Sequence, residues 1–206
     1  MMSGMAERAV IEASAAPQTR ASIATDLHSL GVAPGSVLLV HTAVSRLGWV
    51  CGGPVAVAQA LLDVLGPDGT LVVPTHTTGN SDPARWGHPP VPDAWWPVIR
   101  EHMPGFDPRI TPSRGVGALP EVVRTLPGAV RSAHPQMSFA AIGPQARQSP
   151  PAMSSRADWA KVHPSLASTS LTPRSCCSAS GMRATRHCTS RNIELPSRAI
   201  VERAPL

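Results

Sequence analysis

The chain has 206 residues, of which 42% are hydrophobic and 15% are charged, so its composition is that of a globular protein with room for one medium-sized core. It contains no run of about 18 apolar residues of the kind that spans a membrane. Residues 1–18 lack the compact apolar stretch of a signal peptide. We therefore expect a cytoplasmic protein with reduced cysteines and no membrane partner.

The positive charge is concentrated in one segment of the chain. The formal net charge is +5, which in a domain of uniform charge would favour a polyanionic partner such as nucleic acid. However, residues 149–193 hold six Lys and Arg against one Asp, and the rest of the chain is neutral. The same segment holds ten serines and three of the four cysteines. We therefore separate residues 149–193 from the preceding domain and expect no nucleic-acid partner.

The residues before this segment alternate between helix-like and strand-like patterns. Apolar residues have helical spacing over 19–30 and 54–65, and short apolar, β-branched runs occupy 36–41 and 69–74. Strand, loop, helix and strand in succession predict an α/β fold with a largely parallel central sheet and flanking helices. Residues 1–18 are expected to form a flexible tail, and residues 19–148 the α/β core.

The later part of the core is less regular in sequence. A long polar loop rich in Pro and Gly covers 76–94, and loops of this length are usually functional or disordered. A short helix is expected from Trp95 to Met103, a second helix over 115–126, a turn at 131–135 and a strand over 137–142.

Two strand ends and one helix start are candidate ligand-binding positions. In α/β sheets, ligands bind at the carboxyl ends of strands, and two such ends here read His41-Thr42 and Thr75-His76. The loop before the predicted helix over 54–65 contains Gly52-Gly53-Pro54. Free backbone N–H groups at such a helix start favour an anion or a carbonyl oxygen. The alternative is an ordinary strand-to-helix turn with Gly and Pro in their usual places.

Other side chains offer weaker signals. His134 lies in the turn before the last strand and could act as a general base, because imidazole titrates near neutral pH, although a lone histidine is also a common packed or surface residue. Asp82 and Asp93, in the long loop, would suit a polycationic substrate. Trp86, Trp95 and Trp96 could wall a cleft or simply pack. We expect no metal.

Several separate motifs occur in an order that resembles a known family. They are Leu30-Gly-Val, Ser36-Val-Leu-Leu-Val-His-Thr, Leu47-Gly-Trp-Val-Cys-Gly-Gly, Leu65-Gly-Pro-Asp-Gly-Thr-Leu-Val-Val-Pro, Arg114-Gly-Val-Gly-Ala-Leu-Pro and Arg131-Ser-Ala-His-Pro. Over residues 21–148 the chain closely resembles the aminoglycoside 3-N-acetyltransferases. One departure is visible, since the family usually has a Ser pair after the first histidine and this chain has Thr42-Ala43.

The resemblance implies an antibiotic N-acetyltransferase-like fold and transfer of an acetyl group from acetyl-CoA to the 3-amino group of a deoxystreptamine antibiotic. It implies that the loop after the first strand and the Gly-Gly helix start hold the pantetheine arm, and that the long loop helps to form an acidic aminoglycoside cleft. The residues expected to bind acetyl-CoA are His41, Thr42, Ala43, Val44, Gly52, Gly53, Thr75, Arg114 and Gly115. His134 is the remaining candidate for the catalytic base.

The family's catalytic histidine, in an Asn-Thr-Ser-x-His motif, is missing from the segment that should contain it. A shifted codon consists of the third base of one codon and the first two bases of the next. Whatever codons were used, the shifted codon across Asp158-Trp159 must encode Leu, and the one across Trp159-Ala160 must encode Gly. With permitted choices elsewhere, the shifted frame spells Leu-Gly-Glu-Gly-Ser-Pro, then Leu-Leu-Leu-Gly and Asn-Thr-Ser-Leu-His in family order. We therefore expect residues 149–193 to be a frame-shifted and disordered segment, 194–206 to be family-like again, and activity to be impaired.

Two alternatives remain open at this stage. The chain could be a non-catalytic remnant that binds coenzyme A or antibiotic. The segment 149–193 could instead form a basic zinc- or nucleic-acid-binding tail through Cys176, Cys177, His187 and Cys188, although adjacent pairs lack the usual Cys-x-x-Cys spacing. The sequence does not indicate the oligomeric state.

Overall fold

The structure is a computed structural model and describes residues 4–147, 193–194 and 200–203. Its helices are α1 (Gly4–Glu12), α2 (Arg20–Ser29), α3 (Gly53–Leu65), α4 (Trp96–His102) and α5 (Leu119–Thr125). Its strands are β1 (Val37–His41), β2 (Thr70–Pro74), β3 (Val130–Arg131), β4 (Phe139–Ile142), β5 (Ile193–Glu194) and β6 (Ile200–Arg203). The α/β class is therefore confirmed, and most of the segment 149–193 lies outside the described residues.

The strands form one mixed sheet in the order β3-β4-β2-β1-β6-β5. Only β1 and β2 pair in parallel, with Val37 opposite Thr70, and the other described pairings are antiparallel. The prediction of a largely parallel sheet was therefore wrong. Helix α3 supplies the crossover that a parallel pair requires, whereas β3 and β4 are joined by a short turn that makes them antiparallel.

Helices α2, α3 and α5 cover one face of the sheet. Helix α2 begins with a capping box, in which Thr19 Oγ1 accepts from Ser22 N (3.1 Å) and Ser22 Oγ accepts from Thr19 N (2.9 Å). Helix α3 lies at the centre, packed against β2, α2 and α5. Its buried residues therefore extend beyond a single stripe, whereas Val55, one of the apolar residues in the predicted helical segment 54–65, is 47% exposed.

The opposite face of the sheet carries a smaller apolar cluster. Its buried members are Leu39, Val72, Phe139, Ala141 and Ala146. Neighbouring strand residues such as Leu38 and Val73 belong to the larger cluster under the helices, as the two-residue period of a strand requires. The sheet is thus apolar on both faces.

Two helices depart from the expected boundaries. Helix α1 lies within residues 1–18, where the sequence predicted a flexible tail, and Gln18 N donates to Trp49 O (2.8 Å) just beyond it. Helix α5 begins at Leu119 and not at 115, because Gly115 and Gly117 have positive φ angles of 75° and 85°. Of the helices within the described ranges, none has the length and hydrophobicity that crossing a bilayer requires.

Candidate functional site

The carboxyl ends of β1 and β2 meet at one edge of the sheet, because the two strands are parallel neighbours. The segment 114–117 crosses this edge. Arg114 N donates to His76 O (2.8 Å), and a Cβ placed on Gly117 would lie 3.3 Å from Thr42 O. The fold therefore brings the predicted residues Thr42, Arg114 and Gly115 to the same edge, next to His76.

Thr75, also predicted to bind the cosubstrate, is fully buried and bonds to the protein itself. Its Oγ1 lies 3.1 Å from Ser138 Oγ, and Arg131 Nε donates to the same Thr75 oxygen at 3.1 Å. Its backbone N–H donates to Ser138 O (2.8 Å). The Thr75 side chain thus joins the end of β2 to the start of β4, and its hydroxyl is not available to a ligand.

Arg131 holds this edge together, a role that the sequence did not assign to it. Its Nη2 donates to Thr75 O (2.7 Å), its Nη1 donates to Thr111 O, and its guanidinium lies over the Phe106 ring, 5.1 Å from the centroid. Burial lowers the pKa of Arg131, yet a guanidinium stays charged. Its hydrogen-bond acceptors in the described part of the chain are all neutral, so a positive charge remains beside the strand ends.

Two buried polar atoms at this edge, Thr42 Oγ1 and His76 Nε2, have no hydrogen-bond partner among the described residues. The His76 ring contacts the Phe139 ring edge to face, with centroids 5.4 Å apart. Burial lowers the pKa of His76, and the nearby His134 lowers it further, so the imidazole is neutral at pH 7. Buried polar groups are nearly always hydrogen-bonded, and these two atoms are therefore ready to bond a ligand or water.

His134, the predicted base, has its Nδ1 lone pair already in use. Nδ1 accepts from Met137 N (2.9 Å) and Gln136 N (3.1 Å), which closes the turn between β3 and β4. The neutral ring must therefore carry its proton on Nε2. This geometry argues against His134 as a proton acceptor and favours a role in shaping the turn.

An apolar cavity of about 660 Å³ lies where helix α3 begins; we call it the α3 cleft. Val44 and Gly53, two of the predicted cosubstrate residues, line it together with Trp49 and Pro54. Helix α1 forms one wall through Val10, and Gly117 and Ala118 form another. Gly52 adopts the left-handed conformation (φ 84°) as the chain enters α3, and as a glycine it offers no side chain to cap the helix. In the first turn of α3, Gly53 N donates to Val50 O (2.9 Å), Ala56 N donates to Gly52 O (3.4 Å), and Pro54 has no N–H.

A second cavity, of about 600 Å³, lies within the long loop; we call it the basic pocket. Within the part of the chain that the structure describes, it is lined by Arg85, His88, Arg114 and Trp86 with several small polar residues, and by no acidic residue. The neighbouring Asp82 accepts from Arg100 Nη2 (3.0 Å) and Ala84 N (2.9 Å) through Oδ1, and its side chain is 47% exposed. These hydrogen bonds lower the pKa of Asp82. The basic pocket is therefore not the acidic cleft that was expected from this loop.

The remaining candidates do not line these two cavities. His41 and Ala43 have exposed side chains at the end of β1. Asp93 begins a 3-10 helix (Asp93–Trp95), and Trp95 is 58% exposed. Within the described residues, no three His, Cys, Asp or Glu side chains lie close enough together to hold a metal ion. The four Cys and His residues of the zinc alternative lie outside them.

Comparisons with known proteins agree with this architecture. Residues 39–154 match the family model of aminoglycoside 3-N-acetyltransferase. The SPbeta prophage-derived aminoglycoside N(3')-acetyltransferase-like protein YokD of Bacillus subtilis is 47% identical over 135 residues, which cover 65% of this chain and 50% of the relative. Aminoglycoside N(3)-acetyltransferase VIII of Streptomyces fradiae is 42% identical over 69% of this chain and 49% of its own.

Solved structures share the fold. The crystal structure of YokD superposes with a TM-score of 0.67 at 44% identity, over 68% of this chain and 53% of that one. The structure of AAC-IIIb as a binary complex with CoASH gives a TM-score of 0.53 at 39% identity, over 64% of this chain and 48% of that one. The chain thus spans about half the length of the curated relatives it matches. Sequence motifs, family model and superposed fold agree that the chain belongs to the aminoglycoside 3-N-acetyltransferase family.

Proposed function

We propose that this chain binds acetyl-CoA and transfers its acetyl group to the 3-amino group of deoxystreptamine antibiotics, a reaction that confers antibiotic resistance. The observation that carries the proposal is the position of the α3 cleft. It lies at the end of β1 and the start of α3, and Val44 and Gly53, expected to hold the pantetheine arm, line it. The relative AAC-IIIb, solved with CoASH, supports the same cosubstrate.

The chemistry of the cleft suits a thioester. In the reaction the amine nitrogen forms a bond to the acetyl carbon, the carbon–sulfur bond breaks, and the proton lost by the amine balances the thiolate that leaves. The positive end of the α3 helix dipole, which lies beside the cleft, would favour the negative charge that develops on the acetyl oxygen. His41, Thr42, Ala43 and Gly52 adjoin the cleft along the chain, and Thr42 keeps the hydroxyl of the family's usual serine.

This chain lacks an evident catalytic base among its described residues. His134 has no free lone pair in the described geometry, and the family's Asn-Thr-Ser-x-His motif is absent from the sequence. An amine that stays protonated cannot attack, so we propose that turnover by this chain is slow. The alternative of a non-catalytic remnant predicts coenzyme A binding with no turnover at all. A cytoplasmic location is part of the proposal, because acetyl-CoA is an intracellular metabolite.

Calorimetry with coenzyme A and an acetylation assay with a gentamicin-type acceptor test the proposal together. Ala118 lines the α3 cleft, is exposed and has an ordinary φ of −85°, so Ala118→Trp fills the cleft without backbone strain. We expect this variant to raise the Kd for coenzyme A at least about tenfold. Ala21→Trp, at an exposed position of α2, is the matched control. Unchanged binding by Ala118→Trp would contradict the assignment of the cleft.

A further inference from the structure

The turn between β3 and β4 is closed by a single imidazole nitrogen. Nδ1 of His134 accepts hydrogen bonds from Gln136 N (3.1 Å) and Met137 N (2.9 Å), while Pro135 has no N–H to offer. Asn and Asp side chains make the same kind of bond to the backbone two residues further along the chain. The turn therefore requires a hydrogen-bond acceptor at position 134, and it does not require a group that titrates.

The same turn is bonded to the residues that follow β2. Thr77 N donates to Gln136 O (2.9 Å), and Thr77 Oγ1 also donates to a carbonyl of the turn. Thr75 N donates to Ser138 O (2.8 Å), and Ser138 Oγ donates to Thr75 O (2.7 Å). The turn is thus bonded to both chain neighbours of His76, and these bonds are made by buried side chains or by backbone.

His76 is held between these neighbours in a way that leaves one ring nitrogen unused. Its carbonyl accepts from Arg114 N (2.8 Å), and its ring packs edge to face on Phe139, the residue that follows the turn. Its Nε2 is buried and has no hydrogen-bond partner within the described ranges. Because buried polar atoms are nearly always hydrogen-bonded, Nε2 is the atom that this edge leaves for a ligand. The position of Nε2 depends on the turn that His134 closes.

These contacts connect His134 to His76 through the backbone. We propose that His134 is a positioning residue: its Nδ1 fixes the turn of residues 135–138, and the turn fixes the end of β2 so that His76 presents Nε2 to a ligand. The ligand is one of the two substrates of the proposed function, and to this extent the inference rests on that function. His134 then needs no contact with the reacting atoms, in agreement with a lone pair that is already in use.

Substitution at position 134 tests the first step, from His134 to the turn. His134→Ala removes the acceptor, and amide hydrogen exchange at Gln136 and Met137 is expected to become about tenfold faster. His134→Asn restores an acceptor, so exchange should return to the rate of the original chain. His28→Ala, at an exposed position of α2, is the matched control and should change neither amide. Unchanged exchange in His134→Ala would overturn the proposal, because Nδ1 would then not hold the turn.

The NMR signals of the His76 imidazole test the second step, from the turn to His76. They are expected to shift in His134→Ala and to return in His134→Asn. Both variants lack the imidazole of His134, so its electrostatic effect on His76 cannot account for a difference between them. If the turn loosens in His134→Ala and the His76 signals stay in place, or if both variants shift them equally, His134 does not position His76.

Coenzyme A and a gentamicin-type acceptor, added separately, test whether His76 faces a ligand. At least one of them should shift the His76 signals of the original chain and of His134→Asn, and should shift those of His134→Ala less. Signals that respond to neither compound overturn this role. Absence of coenzyme A binding by calorimetry contradicts the proposed function, whereas the effect of His134→Ala on His76 is measured without ligand and is decided separately.

Thermal melting checks that the variants are folded. If His134→Ala is not, Thr77→Val removes one hydrogen bond between the end of β2 and the turn and should shift the His76 signals in its place. Unchanged His76 signals in a folded Thr77→Val chain would overturn the proposal.

Discussion

Glu121 shows how a single carboxylate in the wall of the α3 cleft is held in its charged form. Burial by itself raises its pKa, but hydrogen bonds from Arg124 (2.7 Å) and from the Ser113 N–H and hydroxyl (both 2.6 Å) outweigh burial and bring the pKa to about 2. Because the folded-state pKa lies below the unfolded one, the charged form stabilises the fold above about pH 4.3. This contribution is lost as the pH falls toward 2.

Glu121→Gln should therefore lower the free energy of unfolding near neutral pH and make that free energy less dependent on pH in the acid range. Discounting for partial exposure of the carboxylate, we expect a loss of about 1 kcal/mol at pH 7 that vanishes by about pH 2. Urea unfolding at a series of pH values from 7 to about 2 measures this. Glu101→Gln, an exposed position on α4, is the control. Stability curves for Glu121→Gln and the original chain that stay parallel throughout would show that the ion pair does not contribute in this way.

The sequence predicted that His41-Thr42 and Thr75-His76 lie at the carboxyl ends of two strands, and they lie at the ends of β1 and β2. It could not predict what each side chain bonds to. Which atoms are free depends on hydrogen bonds made by residues far away in sequence, such as Arg131 to Thr75. The turn after β3 uses Nδ1 of His134, whereas Nε2 of His76 has no hydrogen-bond partner in the described part of the chain. No local pattern encodes that difference.

Helix α1 is held against the loop that leads into α3. Trp49 N donates to Ser14 Oγ (2.9 Å), Ser14 Oγ donates to Val10 O (2.7 Å), and Trp49 Nε1 donates to Glu7 (3.4 Å). Gly48 makes this contact possible, because a Cβ there would lie 2.9 Å from Ser14 Oγ. Hydrogen bonds from Trp49 to Ser14 and Glu7 thus hold α1 in place as a wall of the α3 cleft, and Gly48 leaves room for Ser14.

Gly48→Ala should release α1 and weaken coenzyme A binding. Its φ of 84° already disfavours a side chain, and the contact with Ser14 adds a steric clash, so we expect a destabilisation of about 1–3 kcal/mol. Limited proteolysis within residues 1–18 measures the release. Gly128→Ala is a matched control, since its φ is 85° but its Cβ would meet no atom within 4 Å. If both variants expose the N-terminal residues equally, backbone strain and not the Ser14 contact explains the effect.

The spacing of apolar residues predicted the longer helices and strands, but it did not predict which strands pair in parallel and which pair antiparallel. Helices α2 and α3 and strands β1, β2 and β4 occur where apolar spacing predicted them. Strand β3 has only two residues, too few to show any alternation, and its second residue, Arg131, begins the predicted turn. Missing this strand hid the β3–β4 hairpin, which is one of the four antiparallel pairings described. Helix α1, which has nine residues, was also not predicted.

At the scale of the whole molecule, charge and length lead to one hypothesis. The neutral part of the chain contains the described fold, whereas the basic excess lies in residues 149–193. The chain matches about half the length of its relatives, and the missing family motifs can be read in the shifted frame of that basic segment. We therefore propose that residues 149–193 are a frame-shifted version of the catalytic half, that 194–206 return to the family frame, and that the charge does not reflect a polyanionic partner.

Restoring the frame tests this hypothesis. A chain in which residues 158–193 are replaced by the shifted reading regains the Asn-Thr-Ser-Leu-His motif, and a positioned base accelerates proton transfer about 10²- to 10⁴-fold. We expect acetylation of a gentamicin-type acceptor to rise by at least about a hundredfold, with little change in coenzyme A affinity, because the α3 cleft lies in the unchanged part. The same chain with the restored histidine changed to alanine should lose the gain. Equal turnover by the original chain would mean that residues outside the lost motif supply the base, and coding DNA whose shifted frame does not spell the motif would remove the hypothesis itself.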